Sequence, residues 1–254
     1  MKHEYPENFA RFYDLLYEEL RDSVDKNFFM NHIQKCKGKV LEVGVGTGRF
    51  FREALNRGAD IYGIDISESM LRVLKEKIKK DERHRVSLQN IVDFKFDFQF
   101  DLIVAPFRVI MHLPEKEEQL KALDNVYEHL KPGSEFVFDA FIPDLKILQE
   151  GIDEMTDFEG EYEPGKKLKR VVSNRADLVN QLIHVSFRLE WEEDDRIKQE
   201  NWDVPLRFYF RYELEHLIER SRFESYKIYG DYEGHELDSN SKEFLVVCRK
   251  GNEC

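Results

Sequence analysis

The sequence predicts an α/β protein: a doubly wound, mostly parallel seven-stranded sheet with helices on both faces, plus a small antiparallel β insertion late in the chain. Three observations predict it. An apolar run, Val40 to Val43, passes straight into the alternating glycines Gly44, Gly46 and Gly48. From there to Asp139, short apolar segments alternate with segments of helical period, the order expected of a parallel sheet. Between Ile183 and Phe210 the apolar period falls to two, the mark of half-buried antiparallel strands.

Taken in order, apolar residues at Phe9, Phe12, Tyr13, Leu16, Tyr17 and Leu20 recur at helical intervals, so one or two helices between Asn8 and Met30 precede the first strand. Strand one is Val40 to Val43, and a helix resumes from Arg49 to Leu55. Strand two, Asp60 to Asp65, ends in an acid; Ser67 then caps a helix running to Lys80. Strand three lies near Arg85 to Gln89 and strand four at Phe100 to Ala105. An amphipathic helix from Glu115 to Leu130 meets the stop signal Lys131-Pro132-Gly133-Ser134, and Glu135 to Asp139 is strand five. A long stretch then separates strand five from the next helix, Tyr212 to Arg222. In it Ile183, Val185, Phe187, Leu189 and Trp191 alternate with His184, Ser186, Arg188 and Glu190, and Trp202, Val204, Leu206, Phe208 and Phe210 alternate likewise. Glu192 to Asp195 is the turn between them, and a strand around Lys169 to Asn174 joins. Phe223 to Gly230 and Phe244 to Arg249 close the main sheet, the last strand antiparallel. The division expected is a core of residues 1–141 and 208–254 with a β-rich insertion, residues 142–207, acting as a lid whose aromatic face covers the mouth of the cleft.

Composition narrows the partners. With 51 acidic and 39 basic residues the formal net charge is -12, which repels nucleic acid and anionic membranes and favours a small substrate. The basic run Lys166 to Arg170 reads as a solvated strand end or loop. Cys36, Cys248 and Cys254 have no metal-like spacing, so neither a disulfide framework nor a metal is expected. The segment Met1 to Pro6 lacks the apolar core of a signal peptide, and no run of about 18 apolar residues occurs, so a cytoplasmic setting is expected.

The glycine spacing separates two kinds of nucleotide loop. A dinucleotide fingerprint would be G-x-G-x-x-G, but Arg49 stands where its third glycine belongs, and the acid Glu42 precedes the first glycine by two. The loop suits an anionic or carboxylate-bearing ligand at a helix start. The segment E-V-G-V-G-T-G resembles the first motif of class I S-adenosylmethionine-dependent methyltransferases. The F-A-x-x-Y-D at Phe9 to Asp14, the G-x-D-x-S-x-x-M from Gly63 to Met70, and His129-Leu130-Lys131-Pro132-Gly133-Ser134 before strand five resemble further segments of that family. The insertion after strand five makes the whole resemble small-molecule N-methyltransferases, such as those acting on amino sugars, and glycine N-methyltransferase-like enzymes.

The resemblance implies a Rossmann-like methyltransferase fold that uses S-adenosyl-L-methionine and releases S-adenosyl-L-homocysteine. It assigns Glu42, Gly44, Gly46 and Gly48 to the methionine part, with Arg49 assisting, and Asp65 to the ribose hydroxyls. Ile66, Met70 and Ile91 are assigned to the adenine, with Pro106 also on the cofactor side. Asn90 stands where family members carry an acid that accepts from the adenine amino group; its carbonyl can accept the same bond. On the acceptor side, His112 follows strand four and is either a base or a residue opening the helix beside Pro114. Tyr13 either packs in the core or lines the site, and Phe107 and Arg108 flank the methyl position. The absence of an N-P-P-Y motif after strand four speaks against amino-base DNA methylation. The partner expected is a small-molecule amine or hydroxyl, with no nucleic acid, no membrane, and a homodimer allowed for. A tRNA or protein methyltransferase, and a catalytically silent cofactor-binding protein, are the alternatives.

Overall fold

A computed structural model describes residues 5–20 and 24–252. Met1 to Glu4 and Cys254, on which the signal-peptide and cysteine readings partly rest, lie outside the described residues. Two helices open the chain, α1 (Glu7–Leu20) and α2 (Val24–Lys35). The first half of the sheet follows as β1 (Lys39–Val43), α3 (Phe51–Asn56), β2 (Asp60–Asp65), α4 (Glu68–Lys77), β3 (Val86–Leu88) and β4 (Phe100–Ala105). Then come α5 (Lys116–His129) and β5 (Leu130–Phe141), which starts earlier than expected because helix α5 passes into the strand at once. Helix α6 (Leu145–Glu150) leads to four long strands, β6 (Ile152–Glu163), β7 (Lys166–Asp177), β8 (Leu182–Glu193) and β9 (Arg196–Arg207). Helix α7 (Arg211–Glu219), β10 (Ser225–Tyr229) and β11 (Glu243–Arg249) complete the chain.

The main sheet has the order β10-β11-β5-β4-β1-β2-β3. Strands β3, β2, β1, β4 and β5 are parallel, and β11 runs antiparallel to both β5 and β10, as expected. The order reverses between β1 and β4, so a crevice opens outside their carboxyl ends, the place where open α/β sheets bind ligands. One face of the sheet buries Val40, Ile61, Phe29 and Phe51 in a compact cluster with α2, α3 and α4. The other face, with Leu41, Ile103 and Phe136, belongs to a second cluster that runs on through α1 to Val185, Leu189 and Trp202.

Residues 152–207 form a separate antiparallel sheet, β6-β7-β8-β9. The turn Asp194-Asp195 has both residues at positive φ, 53° and 57°, as a two-residue hairpin requires. Pro205 falls on edge strand β9, where its missing N–H costs no ladder bond. Strand β6 was not legible in the sequence because its side chains are mostly exposed and alternate weakly. It also explains the basic run: Lys166, Lys167 and Lys169 lie opposite Glu163, Glu161 and Glu159 in the register of β6 and β7, a matched cross-strand set.

The expectation that the aromatic face of this sheet covers the cleft mouth is corrected. Phe187 and Trp202 stack 5.5 Å apart and pack against Phe9 of α1, while Trp191 packs 5.8 Å from Phe12. Helix α1 presents Phe9, Phe12 and Leu16 on one side, so two apolar surfaces satisfy each other and α1 is held between the sheets. Among the described residues no helix is long and apolar enough to cross a membrane.

Candidate active site

A cavity of about 560 Å³ opens at the carboxyl ends of β1 to β4, within the size range of small-molecule sites. Gly44 and Gly46 take positive φ, 70° and 53°, and the Gly44 and Val45 N–H groups both donate to the Ile64 carbonyl, which ties the loop to β2. A β-carbon on Gly44 would stand 2.3 Å from the Val109 side chain. Gly44→Ala is therefore expected to destabilise the protein by about 1–2 kcal/mol through left-handed backbone and about 1–3 kcal/mol through overpacking, a loss that denaturant unfolding measures. A β-carbon on Gly46 would meet nothing closer than 4.0 Å, so the loop there offers bare backbone to the cavity.

Glu42 and Asp65 frame this end. Glu42 is 1% exposed, and its Oε2 has no hydrogen-bond partner. Burial, and then the nearby Asp65, push its carboxyl well above the usual range. Asp65 accepts the Gly46 N–H at Oδ2 and the Ser67 N–H at Oδ1, both at 2.8 Å, so the end of β2 fixes the carboxylate, a group that accepts hydrogen bonds from hydroxyls, against the loop. Ile66, Met70, Asn90, Ile91 and Pro106 line the same cavity. The cap expected at Ser67 forms: its Oγ accepts the Met70 N–H at 3.3 Å.

Three expected cofactor contacts are altered. Gly48 is not among the lining residues; its φ of 89° and a β-carbon that would lie 2.3 Å from Leu74 of α4 already favour glycine without any ligand. Arg49 does line the cavity, but its guanidinium donates to both oxygens of Asp25 in α2, at 2.6 and 2.7 Å. The Asn90 carbonyl oxygen accepts the Val92 N–H at 3.2 Å, so an adenine contact there competes with the turn. Helix α3 begins two residues later than expected and has six residues, which leaves loop geometry rather than a long helix dipole to shape the site.

The other end is built from three parts of the chain. His112 closes a 3-10 turn, Val109–His112, and lines the cavity with Tyr13 and Phe107. Phe107 and Arg108 both hold left-handed backbone, φ 68° and 65°, conformations that persist only where neighbours enforce them. Here the Arg108 N–H donates to Asp139, and its guanidinium pairs with Glu243 at 2.6 Å, so Arg108 anchors the loop instead of flanking the ligand. Tyr13 packs 4.5 Å from Tyr17 and 5.8 Å from Tyr5, and Tyr17 lies 5.3 Å from Phe107. Arg170, bidentate to Asp157, sits over the Tyr17 and Phe187 rings at 5.0 and 5.1 Å, joining the antiparallel sheet to this aromatic group. Asp14 ties α1 to the glycine loop by accepting from Thr47 at 2.5 Å and to α4 by pairing with Lys77.

Sequence reasoning missed Tyr5, Glu118 and His184, all of which line the cavity. His184 falls on the polar face of β8, which periodicity assigns to solvent; that face turns toward the cavity at the end of the strand where Leu182 and Pro205 also line it. Among the described residues no group of three or more His, Cys, Asp or Glu is arranged to hold a metal ion.

Residues 40–133 match the family described as methyltransferase domain. Over those residues the chain is thus similar to a methyltransferase domain. An uncharacterized methyltransferase of Bacillus cereus is 31% identical over 135 residues, 53% of this chain and 56% of that protein. The chain thus spans little more than half the length of the curated relative. A methyltransferase from Clostridium acetobutylicum ATCC 824 superposes with a TM-score of 0.75 at 18% identity, over 96% of this chain and 98% of the other. The sugar N-methyltransferase KedS8 from Streptoalloteichus sp ATCC 53650 gives 0.75 at 15% identity, over 94% and 93%. At such identities the structures establish the fold alone. The cofactor of the domain is S-adenosylmethionine, and the site fits it. The glycine loop offers open backbone at Gly46, the buried carboxylate oxygen of Glu42 without a hydrogen-bond partner suits a cationic group, and the fixed Asp65 carboxylate suits hydroxyls.

Proposed function

We propose that the protein transfers a methyl group from S-adenosylmethionine to an amine or hydroxyl of a small molecule. The observation that carries this reading is the continuity of one cavity, with the glycine loop and Asp65 at one end and His112, His184 and Glu118 at the other. Glu42, Gly44, Gly46, Asp65, Ile66, Met70, Ile91 and Pro106 bind the cofactor, with Asn90 at the adenine edge. When bound, the cofactor supplies a methyl carbon already activated by the sulfonium, so the chain's task is positioning, exclusion of water and removal of a proton. His112 takes that proton, and Tyr13 and Phe107 bound the space in which the acceptor meets the methyl group. Residues 142–207 serve as the lid that contributes Leu182, His184 and Pro205 to the acceptor side. The relatives' names, which include a sugar N-methyltransferase, support a small acceptor, and the odd cysteine count supports a cytoplasmic setting. The test is calorimetry with S-adenosylhomocysteine, followed by its release assay with S-adenosylmethionine and a panel of small amines and alcohols. Binding without any turnover on the panel would leave a silent cofactor-binding protein.

Glu42 gives the reading a pH signature. Its carboxyl is held above the usual range in the free protein, so the stability it contributes is present at low pH and is lost as pH rises through the raised value. A cationic ligand favours the ionised form, so binding expels a proton and affinity rises with pH through that same range. Glu42→Gln is expected to flatten the rise; comparison of the two proteins cancels the ligand's own titration. Calorimetry in buffers of different ionisation enthalpy reads the proton release, and parallel profiles for the two proteins would remove Glu42 from the site.

A further inference from the structure

Two consecutive left-handed residues, Phe107 and Arg108, stand between β4 and the turn that carries His112, and Phe107 lines the cavity. Side chains bearing a β-carbon do not hold that backbone unaided. Arg108 is gripped at three points. Its N–H donates to Asp139 Oδ1 at 2.8 Å, its carbonyl accepts the Met111 N–H at 2.9 Å, and its guanidinium pairs with Glu243 at 2.6 Å over the Phe141 ring. The first grip depends on Asp139, a fully buried residue near the carboxyl end of β5. Its other oxygen, Oδ2, accepts the Tyr232 hydroxyl at 2.7 Å. Tyr232 comes from far along the chain, in the connection between β10 and β11, and that connection is a built turn. The Gly230 N–H donates to the His235 carbonyl at 2.9 Å, and Asp231 Oδ1 accepts the Glu233 and His235 N–H groups at 2.9 and 3.1 Å. The Tyr232 ring packs 6.2 Å from Phe28 of α2. Burial, and then Asp139, hold the phenol far above its usual range, so it remains a donor across the pH range in which proteins are assayed.

We infer, resting on the methyltransferase reading above, that Tyr232 is a positioning residue for the transfer: through Asp139 it holds the Arg108 amide and so sets where Phe107 and His112 stand. Tyr232 itself does not line the cavity. The relay runs from its hydroxyl to Asp139, from Asp139 to the Arg108 N–H, and from the Arg108 carbonyl to Met111, the neighbour of His112. Without the hydroxyl, a buried carboxylate oxygen loses a donor, which favours any rotation that finds it another. The Asp139 bond to Arg108 then weakens, the left-handed pair relaxes, and His112 shifts relative to the glycine loop. The ties of that loop, from Gly44 and Val45 to Ile64 and from Gly46 to Asp65, do not pass through Tyr232. Phenylalanine at this position keeps the ring against Phe28, so α2 and the pair it forms with Arg49 through Asp25 stay in place. The loss therefore falls on the acceptor end and spares the cofactor end.

The test is Tyr232→Phe in the full chain, read in three ways. Amide exchange of Arg108, followed by NMR in the free protein, is expected to quicken about 3- to 10-fold, the scale for weakening one hydrogen bond, while Gly44 and Val45 exchange as before. That readout needs neither cofactor nor acceptor. With S-adenosylmethionine and whichever acceptor of the panel turns over best, kcat is expected to fall about 10- to 100-fold, the scale for misplacing a group by about 1 Å. S-adenosylhomocysteine affinity, by calorimetry, is expected to stay the same. In the His112→Ala background the same substitution is expected to cause no further loss of turnover, because its effect runs through that side chain. A general loosening of the fold would instead lower turnover by the same factor in both backgrounds. The inference is overturned if Arg108 exchanges at its original rate, if kcat is unchanged, or if the loss is equal in both backgrounds. Absence of S-adenosylhomocysteine binding, or of turnover with every acceptor, overturns the methyltransferase reading and with it the role in transfer. Faster Arg108 exchange would then still show, separately, that Tyr232 holds the loop.

Discussion

Replacing His112 by alanine is expected to lower turnover by about 10²–10⁴-fold, the scale for losing a positioned general base, while leaving S-adenosylhomocysteine affinity intact. The imidazole closes a 3-10 turn that is fixed from both sides. Ile110 and Met111 are buried beneath it, Arg108 is bound to Asp139 and Glu243, and the Met111 N–H donates to the Arg108 carbonyl at 2.9 Å. Alanine at the end of such a turn removes the ring while these contacts go on holding the turn. The loss corresponds to about 2.7–5.5 kcal/mol of transition-state stabilisation. It is measured as kcat/KM for the best amine acceptor, with thermal unfolding and calorimetry as controls. If turnover is unchanged in His112→Ala and falls only when His184 is also removed, His184 is the proton acceptor. If both losses are without effect, positioning alone carries the reaction.

Asp65→Ala is expected to weaken cofactor binding by about 1.5–3 kcal/mol, the range for lost hydrogen bonds to a charged group. Because the carboxylate also holds the Gly46 and Ser67 N–H groups, alanine frees the loop as well as removing the ribose partner. Asp65→Asn separates the two effects: a single carbonyl oxygen keeps part of the backbone tie but halves the acceptors available to hydroxyls. A loss in the asparagine variant close to that of alanine assigns the effect to the ribose; a small loss assigns it to the loop. Calorimetry with S-adenosylhomocysteine measures both, and NAD serves as the control ligand. Micromolar NAD binding together with no S-adenosylhomocysteine binding would contradict the assignment, which has the third dinucleotide glycine replaced by an arginine held by Asp25.

The glycine-loop end of the cavity was legible in the sequence because its requirements are local. Gly44 must be glycine for its positive φ and the nearness of Val109, and an acid at the carboxyl end of strand two reaches the loop through one hydrogen bond from Gly46. Gly48 does not line the cavity; glycine there answers to its φ of 89° and to Leu74 of a helix further along the chain. The acceptor end was only partly legible. His112 was accessible from its place after strand four, whereas His184 sat on the polar face of an alternating strand and Glu118 looked like any acid at a helix start.

By itself the sequence determined the α/β class, the antiparallel insertion, the strand on which the glycine loop hangs and the acids that serve it. Those follow from periods of two and 3.6 residues and from backbone angles that few residues adopt, which nearest neighbours in the chain decide. Only the tertiary structure decided that the aromatic stripe of Phe187 and Trp202 covers Phe9 instead of the cleft, and that Arg49 pairs with Asp25. It also decided that the polar end of β8 turns into the cavity beside α5. A strand's alternation states that its two faces differ, but which surface each one meets depends on where distant segments pack, and that is settled by burial and charge pairing across the whole fold.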